Sequence, residues 1–206
     1  MKANIKKPLL LGLCAVVLVV VTVVGTLAYF TDNKSVSNTF TVGKVAIKLE
    51  ETKTNDAGVA VTPAAKTTTG NAYVLIPGRS YLKDPTVTVE ANSEDSYVFV
   101  KVENDLADIE VAGDKSGKTI AEQILANGWT QLKDAAGKDV EGVYFRVHTK
   151  SSSDVPYAVF GEFKVDPAAT AEDLAAYQSD ATVDISAYAI QKEGLADEKA
   201  AWAALQ

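Results

Sequence analysis

The chain has 206 residues, 47% of them hydrophobic, and a formal net charge of −7. This length supports one domain with a hydrophobic core. Three lysines are the only charged residues before residue 29, so the remaining 178 residues carry a formal charge of −10. Because like charges repel, this excess of carboxylates argues against nucleic acid and anionic lipid as partners.

Residues 1–28 have the composition of an export signal. A basic stretch, MKANIKKP, precedes an uncharged run, LLLGLCAVVLVVVTVVGTLA, that extends from Leu9 to Ala28. Thr26 and Ala28 form the small-x-small pattern that signal peptidases recognise, which predicts cleavage between Ala28 and Tyr29. A helix of this length spans about 30 Å and is also long enough to remain as a membrane anchor.

Cys14 is the only cysteine, so the chain after residue 28 has neither disulfides nor thiol chemistry. A lipoprotein signal needs a small residue directly before its cysteine, and Leu13 stands there. Cys14 is therefore interpreted as a small hydrophobic residue of the export signal. Exported proteins without disulfides are typical of Gram-positive bacteria, whereas small exported eukaryotic domains usually carry them.

Alternation of apolar and polar residues dominates the rest of the chain and predicts an all-β fold. The predicted strands are NTFTVGKVAIKLEE with a bulge at Gly43-Lys44, TVTVEA, YVFVKVEN, GVYFRVHTK, YAVFGEFKV and TVDISAYAIQ. Residues 51–72 are predicted to be a surface loop, and Pro77-Gly78 a turn. Seven or eight short strands at turn-rich spacing indicate a jelly-roll-type β-sandwich over residues 43–206.

Three short helices are predicted between or after the strands: TIAEQILANGW, TAEDLAAYQS and ADEKAAWAAL. In the first, Thr119 is the expected N-cap, Glu122 completes a capping box and Gly128 ends the helix. In the last, the apolar residues Leu195, Trp202 and Leu205 lie on one side.

The segment AGDKSGKT, residues 112–119, fits a relaxed phosphate-loop pattern. Such a loop works because backbone N–H groups and a helix N-terminus face the anion. However, Ala112 replaces the first glycine, Asp114 would lie where phosphates bind, and no parallel α/β pattern surrounds the segment. It is therefore interpreted as a polar turn before a helix.

His148 is the only histidine. A zinc peptidase of the H-E-x-x-H type needs two histidines, and the G-x-S-x-G elbow of serine hydrolases is absent. His148 shares its face of an alternating strand with Arg146 and Lys150, which predicts a solvent-facing position. NSEDS and DPAATAED are acidic but do not match a calcium-binding loop. No catalytic residue, metal ligand or cofactor is predicted.

Residues 29–42 have the pattern of an arm that pairs with a sheet edge. Every odd residue from Tyr29 to Thr41 is polar, and the even positions include the apolar residues Phe30, Val36, Phe40 and Val42. A strand with such a polar beginning is a poor core strand of its own subunit. It suits addition to another subunit's sheet, where backbone bonds provide affinity and apolar pockets set the register. An ordinary mobile terminus is the alternative interpretation.

GTLAYFTDNKSVSNTFTVGKVAIKLEE, residues 25–51, resembles the start of the exported TasA and camelysin-like proteins, whose signal peptides are cut by the peptidase SipW. LIPGRSYLKDPTVTVEANSEDSYVFVKVEN and ISAYAIQKEGLADEKAAWAAL resemble other parts of that family, and residues 105–180 match nothing in it. The resemblance implies a jelly-roll subunit of extracellular fibres, in a biofilm matrix or on the cell surface. In such fibres, the freed N-terminal segment inserts as a strand into the neighbouring subunit.

These observations predict a secreted, non-enzymatic fibre subunit whose partners are its own copies and a SipW-type peptidase. Contact with the membrane is then confined to the uncleaved chain. The resemblance also implies an alternative, an exported metalloendopeptidase like camelysin, although the single His148 argues against a zinc site. A third hypothesis is a monomeric surface-binding domain held by an uncleaved helix.

The mature chain is expected to begin at Tyr29. Replacing the small residue before the cut, Ala28→Lys, should block cleavage and keep the protein in the membrane, because the peptidase recognises a small side chain there. N-terminal sequencing of protein recovered from the culture medium checks this. Secreted protein that begins at Met1 or Lys2 would contradict it.

Overall fold

The computed structural model describes residues 31–35, 45–175, 177 and 181–206. Within these ranges, no helix combines the length and hydropathy that a membrane span requires. The predicted export signal and the predicted bulge at Gly43-Lys44 lie outside them. So do the residues assigned to the cleavage site and to the apolar face of the arm: Ala28, Tyr29, Phe30, Val36, Phe40 and Val42.

The described chain consists mostly of antiparallel strands with a few short helices, which confirms the predicted all-β fold. The strands are β1 Thr31–Ser35, β2 Ile47–Thr52, β3 Lys66–Thr67, β4 Ser80–Leu82, β5 Thr86–Val89, β6 Ser96–Asn104, β7 Glu110–Val111, β8 Thr130–Lys133, β9 Asp139–His148, β10 Val155–Ala158, β11 Glu162–Val165 and β12 Val183–Gln191. The helices are a 3-10 turn at Ala107–Ile109, α1 Ile120–Ala126, α2 Ala171–Ala175 and α3 Glu198–Ala203.

The strands form three antiparallel sheets. A five-stranded sheet has the order β1-β12-β6-β9-β8, a four-stranded sheet β10-β5-β2-β3 and a three-stranded sheet β4-β11-β7. Many neighbours in these sheets are far apart in sequence, as β12 and β6 are. Such long crossovers are characteristic of β-sandwiches, in which strands of different sheets alternate along the chain.

The main core lies between the five-stranded sheet and the two smaller sheets. Because side chains alternate along a strand, every second residue of a strand points into it. The five-stranded sheet contributes Val98, Val100, Val102, Ile185, Ala187 and Ala189, and the smaller sheets contribute Ile47, Tyr81, Val87, Val89, Phe163 and Val165.

A second core covers the opposite face of the five-stranded sheet. Tyr97 and Phe99 of β6 point into it, and the C-terminal helix α3 packs over them. The Trp202 ring lies 5.3 Å from that of Phe99 and 5.5 Å from that of Tyr188, measured between centroids. Leu195 and Leu205 belong to the same cluster as Trp202, as predicted, but they lie just before and just after the helix rather than within it.

Most predicted elements are confirmed, including the capping box. The Thr119 side chain accepts from the Glu122 backbone, the Glu122 carboxylate accepts from the Thr119 backbone, and Gly128 has a φ of +84°. YAVFGEFKV is not one strand, however. It contributes β10 and β11 to different sheets, because the buried pair Val159-Phe160 interrupts the alternation where the chain crosses between sheets. The short strands β3, β4, β7 and β8 were also missed.

Gly142 allows β9 to lie close to β6. Its φ is +67°, and a Cβ atom would lie 2.3 Å from the Val102 carbonyl oxygen. Gly142→Ala should therefore lower the free energy of unfolding by about 2–4 kcal/mol, through backbone strain and a clash with main chain. Denaturant titration measures the loss.

The matched control for that substitution is Gly137→Ala. Gly137 also has a positive φ, +82°, but a Cβ atom there would have no neighbour within 4 Å. Strain alone then costs about 1–2 kcal/mol. Equal losses in the two variants would show that the approach of β9 to β6 is not the limiting constraint.

Candidate functional site: the β12 edge, two predicted motifs and a buried polar cluster

Five residues of the predicted arm are described, and they pair with a sheet edge of their own chain. β1 runs antiparallel to β12, from Thr31 opposite Ile190 to Ser35 opposite Ser186. On its other side, β12 pairs with β6 along all nine of its residues. The arm segment therefore adds to a sheet, as its pattern predicts, while pairing with a second subunit stays a prediction.

The edge of β12 that β1 covers is suited to recognition through the main chain. Without a partner strand, this edge would present a row of backbone N–H and C=O groups. The side chains that β12 buries in the main core are small or of moderate size: Ile185, Ala187 and Ala189. At the beginning of β12, Val183–Ile185 border a small cleft of about 80 Å3 together with Thr67–Gly70.

The segment that resembles a phosphate loop holds an anion that belongs to its own chain. The backbone N–H groups of Lys115 and Ser116 donate to Oε1 of Glu162, at 2.9 and 2.6 Å. A Cβ atom on Gly113 would lie 2.5 Å from the Glu162 carboxyl carbon, so a larger residue there would displace this carboxylate. The structure agrees with the interpretation of this segment as a polar turn before a helix.

Gln123 is an important polar residue that the sequence interpretation missed. It is buried on the inner face of α1, where its Oε1 accepts from the backbone N–H groups of Gly161 and Glu162, at 3.0 and 3.3 Å. Its Nε2 donates to the Glu162 and Lys118 carbonyls, at 2.9 and 3.1 Å. One side chain thus fixes the helix to the point where the chain enters β11. The only signal in the sequence was that Gln123 shares its helix face with the apolar residues Ile120 and Ile124.

The predicted solvent-facing position of His148 is wrong. The side chain is 1% exposed, and its neighbour Val147 faces solvent instead. Nδ1 of His148 lies 2.9 Å from the Tyr157 hydroxyl, and Nε2 is buried without a hydrogen-bond partner among the described residues. The alternation of side chains along β9 was predicted correctly, but the wrong face was taken to be exposed. Tyr157 of β10 covers the face that carries His148, and the sequence gives no sign of this contact.

Arg146 lies on the same covered face as His148. Its guanidinium carbon is 3.9 Å from the centre of the Tyr157 ring and 5.4 Å from that of Trp129. A planar cation stacks favourably on such rings, and no carboxylate of the described residues forms an ion pair with Arg146. Burial lowers the pKa of His148 below its usual value, and the Asp95 carboxylate opposes that shift.

A buried polar cluster lies where β2 meets the segments on either side of β4. Nζ of Lys83 is 3.0 Å from Oε2 of Glu51, and both side chains are less than one-tenth exposed. Nδ2 of Asn71 donates to the other carboxylate oxygen, Oε1, at 2.8 Å, and to the Thr52 carbonyl at 2.9 Å. The Thr54 backbone N–H donates to Oδ1 of Asn71 at 2.7 Å.

The polar cluster borders two clefts. Both Lys83 and Glu51 line the small cleft at the start of β12, and Lys83 and Asn71 line a second one of about 420 Å3. Tyr73 also lines the second cleft; burial raises the pKa of its phenol, and the Glu51 carboxylate adds to that shift. The sequence interpretation missed the cluster because Asn71 lies in a segment predicted to be a surface loop.

Comparisons with protein-family models, with curated proteins and with solved structures found no match. Across the described ranges, no group of three or more His, Cys, Asp or Glu residues is arranged to hold a metal ion. The fold and these sites define the chain as a β-sandwich-like, all-β protein whose N-terminal strand completes a sheet edge.

The buried His148 predicts a pH-dependent stability. Because its pKa is lowered in the folded state, the unfolded chain takes up a proton first, at about pH 6.5. The contribution of His148 is therefore complete above that pH and declines as the pH falls towards the lower folded-state pKa. His148→Asn retains a group able to form a hydrogen bond with Tyr157 but cannot be protonated. Between about pH 7 and about pH 5, this variant should therefore lose less unfolding free energy than the unmodified protein. Denaturant titrations at both pH values test this, and equal losses in the two proteins would contradict it.

Proposed function

We propose that this protein is a secreted structural subunit that forms extracellular fibres by exchanging its N-terminal strand between neighbouring subunits. The observation that carries the proposal is the pairing of β1 with the outer edge of β12. A strand held at an edge by main-chain bonds can be replaced by the same strand of another copy. The replacement forms the same bonds, so exchange costs little free energy.

Exchange between neighbours produces filaments rather than closed dimers. Each subunit donates one strand and receives one, which is a heterologous contact that repeats without closing. Ten extended residues reach roughly 33–36 Å, enough to cross to an adjacent subunit. The fibre geometry then depends on β12, because this strand provides the receiving edge.

Cleavage after Ala28 would control when assembly begins. An uncleaved arm remains attached to the apolar segment of residues 9–28 and is not free to reach a neighbour. A SipW-type peptidase, as the family resemblance implies, would release the arm outside the cell. The localisation that follows is the extracellular matrix or the cell surface, with a membrane association only before cleavage.

Deleting residues 29–38 from the mature chain should leave a folded, soluble monomer that forms no fibres. The core residues that the structure describes all lie after residue 44, so circular dichroism should still show a β-rich protein. Phe30→Asp combined with Phe40→Asp should act similarly, because a charge buried in an apolar groove is costly. Electron microscopy measures the outcome. Fibres of unchanged morphology from the truncated chain would contradict strand exchange.

The register of β1 and β12 provides a sharper test. Ser35 and Ser186 are paired in the strand register, and paired strand positions have Cα separations of about 4.5–5.5 Å, a range that disulfides accept. With both residues changed to cysteine in one chain, oxidation should lock β1 onto its own β12 and prevent fibres until a reductant is added. The mature chain has no other cysteine.

The complementary experiment mixes two single variants, Ser35→Cys and Ser186→Cys. Exchange should place the two cysteines together in the fibre, so oxidation yields a disulfide between different chains. Either single variant alone is the control and forms no such pair. Fibres that form without this cross-link would show that the subunits connect by another route. Stoichiometric zinc together with proteolysis that His148→Ala abolishes would favour the metalloendopeptidase alternative instead.

A further inference from the structure

We propose that Lys83 and Asn71 join through an intramolecular amide bond, with Glu51 carrying the protons of the reaction. This inference concerns a covalent modification within one subunit and does not depend on fibre formation. It begins from an unusual arrangement, in which a buried ammonium and a carboxamide nitrogen are hydrogen-bonded to the two oxygens of the same carboxylate.

The first argument is burial. Removing a lysine and a glutamate from water is expensive, and a buried ion pair is often no more stable than apolar residues of similar size. Glu51 and Lys83 are 5% and 6% exposed. An arrangement that costs this much, and whose carboxylate also binds a carboxamide, is a candidate for chemistry. Transfer of one proton from Lys83 to Glu51 discharges both groups and leaves a neutral amine, which is the nucleophilic form.

The second argument is the activation of the carboxamide. Oδ1 of Asn71 accepts a hydrogen bond from the Thr54 backbone N–H at 2.7 Å. A fixed donor at this oxygen stabilises the negative charge that develops when a nucleophile attacks the carbonyl carbon. Because Thr54 forms an antiparallel bridge with Ala60, its N–H is held in place by local backbone pairing.

The third argument is the position of the leaving group. Nδ2 of Asn71 lies 2.8 Å from Oε1 of Glu51, the carboxylate that also contacts the amine. The same group can therefore take protons from Lys83 and deliver one to Nδ2. General acid–base catalysis requires such hydrogen-bond contact with both reacting nitrogens.

The reaction balances without an oxidant or another reactant. A bond forms between Nζ of Lys83 and Cγ of Asn71, and the bond between Cγ and Nδ2 breaks. Of the three protons of the ammonium, one stays on the new amide nitrogen, one leaves with Nδ2 as ammonia, and one remains on Glu51. The products are a secondary amide, ammonia and a neutral carboxylic acid, so the buried charges disappear. The cleft beside Glu51 and Lys83 gives ammonia a way out.

Intact-mass measurement of the full purified chain under denaturing conditions tests the bond. The mass should be lower than the value calculated from the sequence by one molecule of ammonia. Trypsin should not cut after the modified Lys83. The digest should then contain a branched peptide in which residues 67–79 are attached to residues 80–101. A chain with the calculated mass would overturn the proposal.

Three variants identify the participants. Lys83→Met removes the nucleophile and keeps an apolar side chain of similar length, Asn71→Ala removes the carboxamide, and Glu51→Gln removes the proton carrier. Each should restore the calculated mass, and circular dichroism confirms that each has folded. The matched control is Lys66→Met, because Lys66 is exposed and lies near the same strand, 3.1 Å from the Thr52 hydroxyl. This control should keep the mass deficit.

Other outcomes contradict specific parts of the proposal. A deficit that persists in Lys83→Met would come from cyclisation of Asn71 with its own backbone, and the cross-link would be refuted. A deficit that persists at full yield in Glu51→Gln would refute the role of Glu51. Loss of the deficit in Lys66→Met would show that the wrong lysine was assigned.

Discussion

The structure depends on the burial of strand β6 on both faces. Val98 and Val100 point into the main core, while Tyr97 and Phe99 point into the second core beneath α3. A strand buried on both sides cannot slip by one residue, because every side chain would move into the wrong core. β12 pairs with β6 along its full length, so its register is fixed in turn, and β1 takes its position from β12. The edge proposed for assembly is thus set by packing at the centre of the sheet.

Local patterns were sufficient to predict elements whose formation depends on near neighbours. The capping box of α1 could be read from Thr119 and Glu122 because both partners lie within one helical turn. Whether the face of β9 that carries His148 is buried or exposed could not be predicted from near neighbours. Its burial depends on Tyr157, which arrives from a strand of another sheet, and alternation is the same whichever face is covered. The break in YAVFGEFKV has a similar origin, since it reflects a crossing between sheets.

The contacts of the buried polar groups were the least predictable features, and the reason is the same for each of them. Glu51, Asn71 and Lys83 come from separate segments, and their hydrogen bonds exist only when β2 and the chain around β4 are brought together. The Glu162 carboxylate likewise accepts from the backbone N–H groups of Lys115 and Ser116, although it lies more than 40 residues later in the chain. In each case a polar group is satisfied by a distant partner. Composition shows only that carboxylates are abundant, whereas the fold decides which of them are removed from water.

β12 and α3 follow all other described elements in the chain, and this order affects the timing of folding. β12 is an interior strand of the five-stranded sheet, and α3 covers one face of β6, yet both lie after residue 182. If the chain crosses a membrane from its N-terminus, as proposed above, neither core can be completed until β12 and α3 have emerged. Pairings between distant segments form slowly, because the intervening chain must first be ordered. In the proposed exported subunit, the N-terminal arm would therefore leave the cell before its receiving edge on β12 has formed.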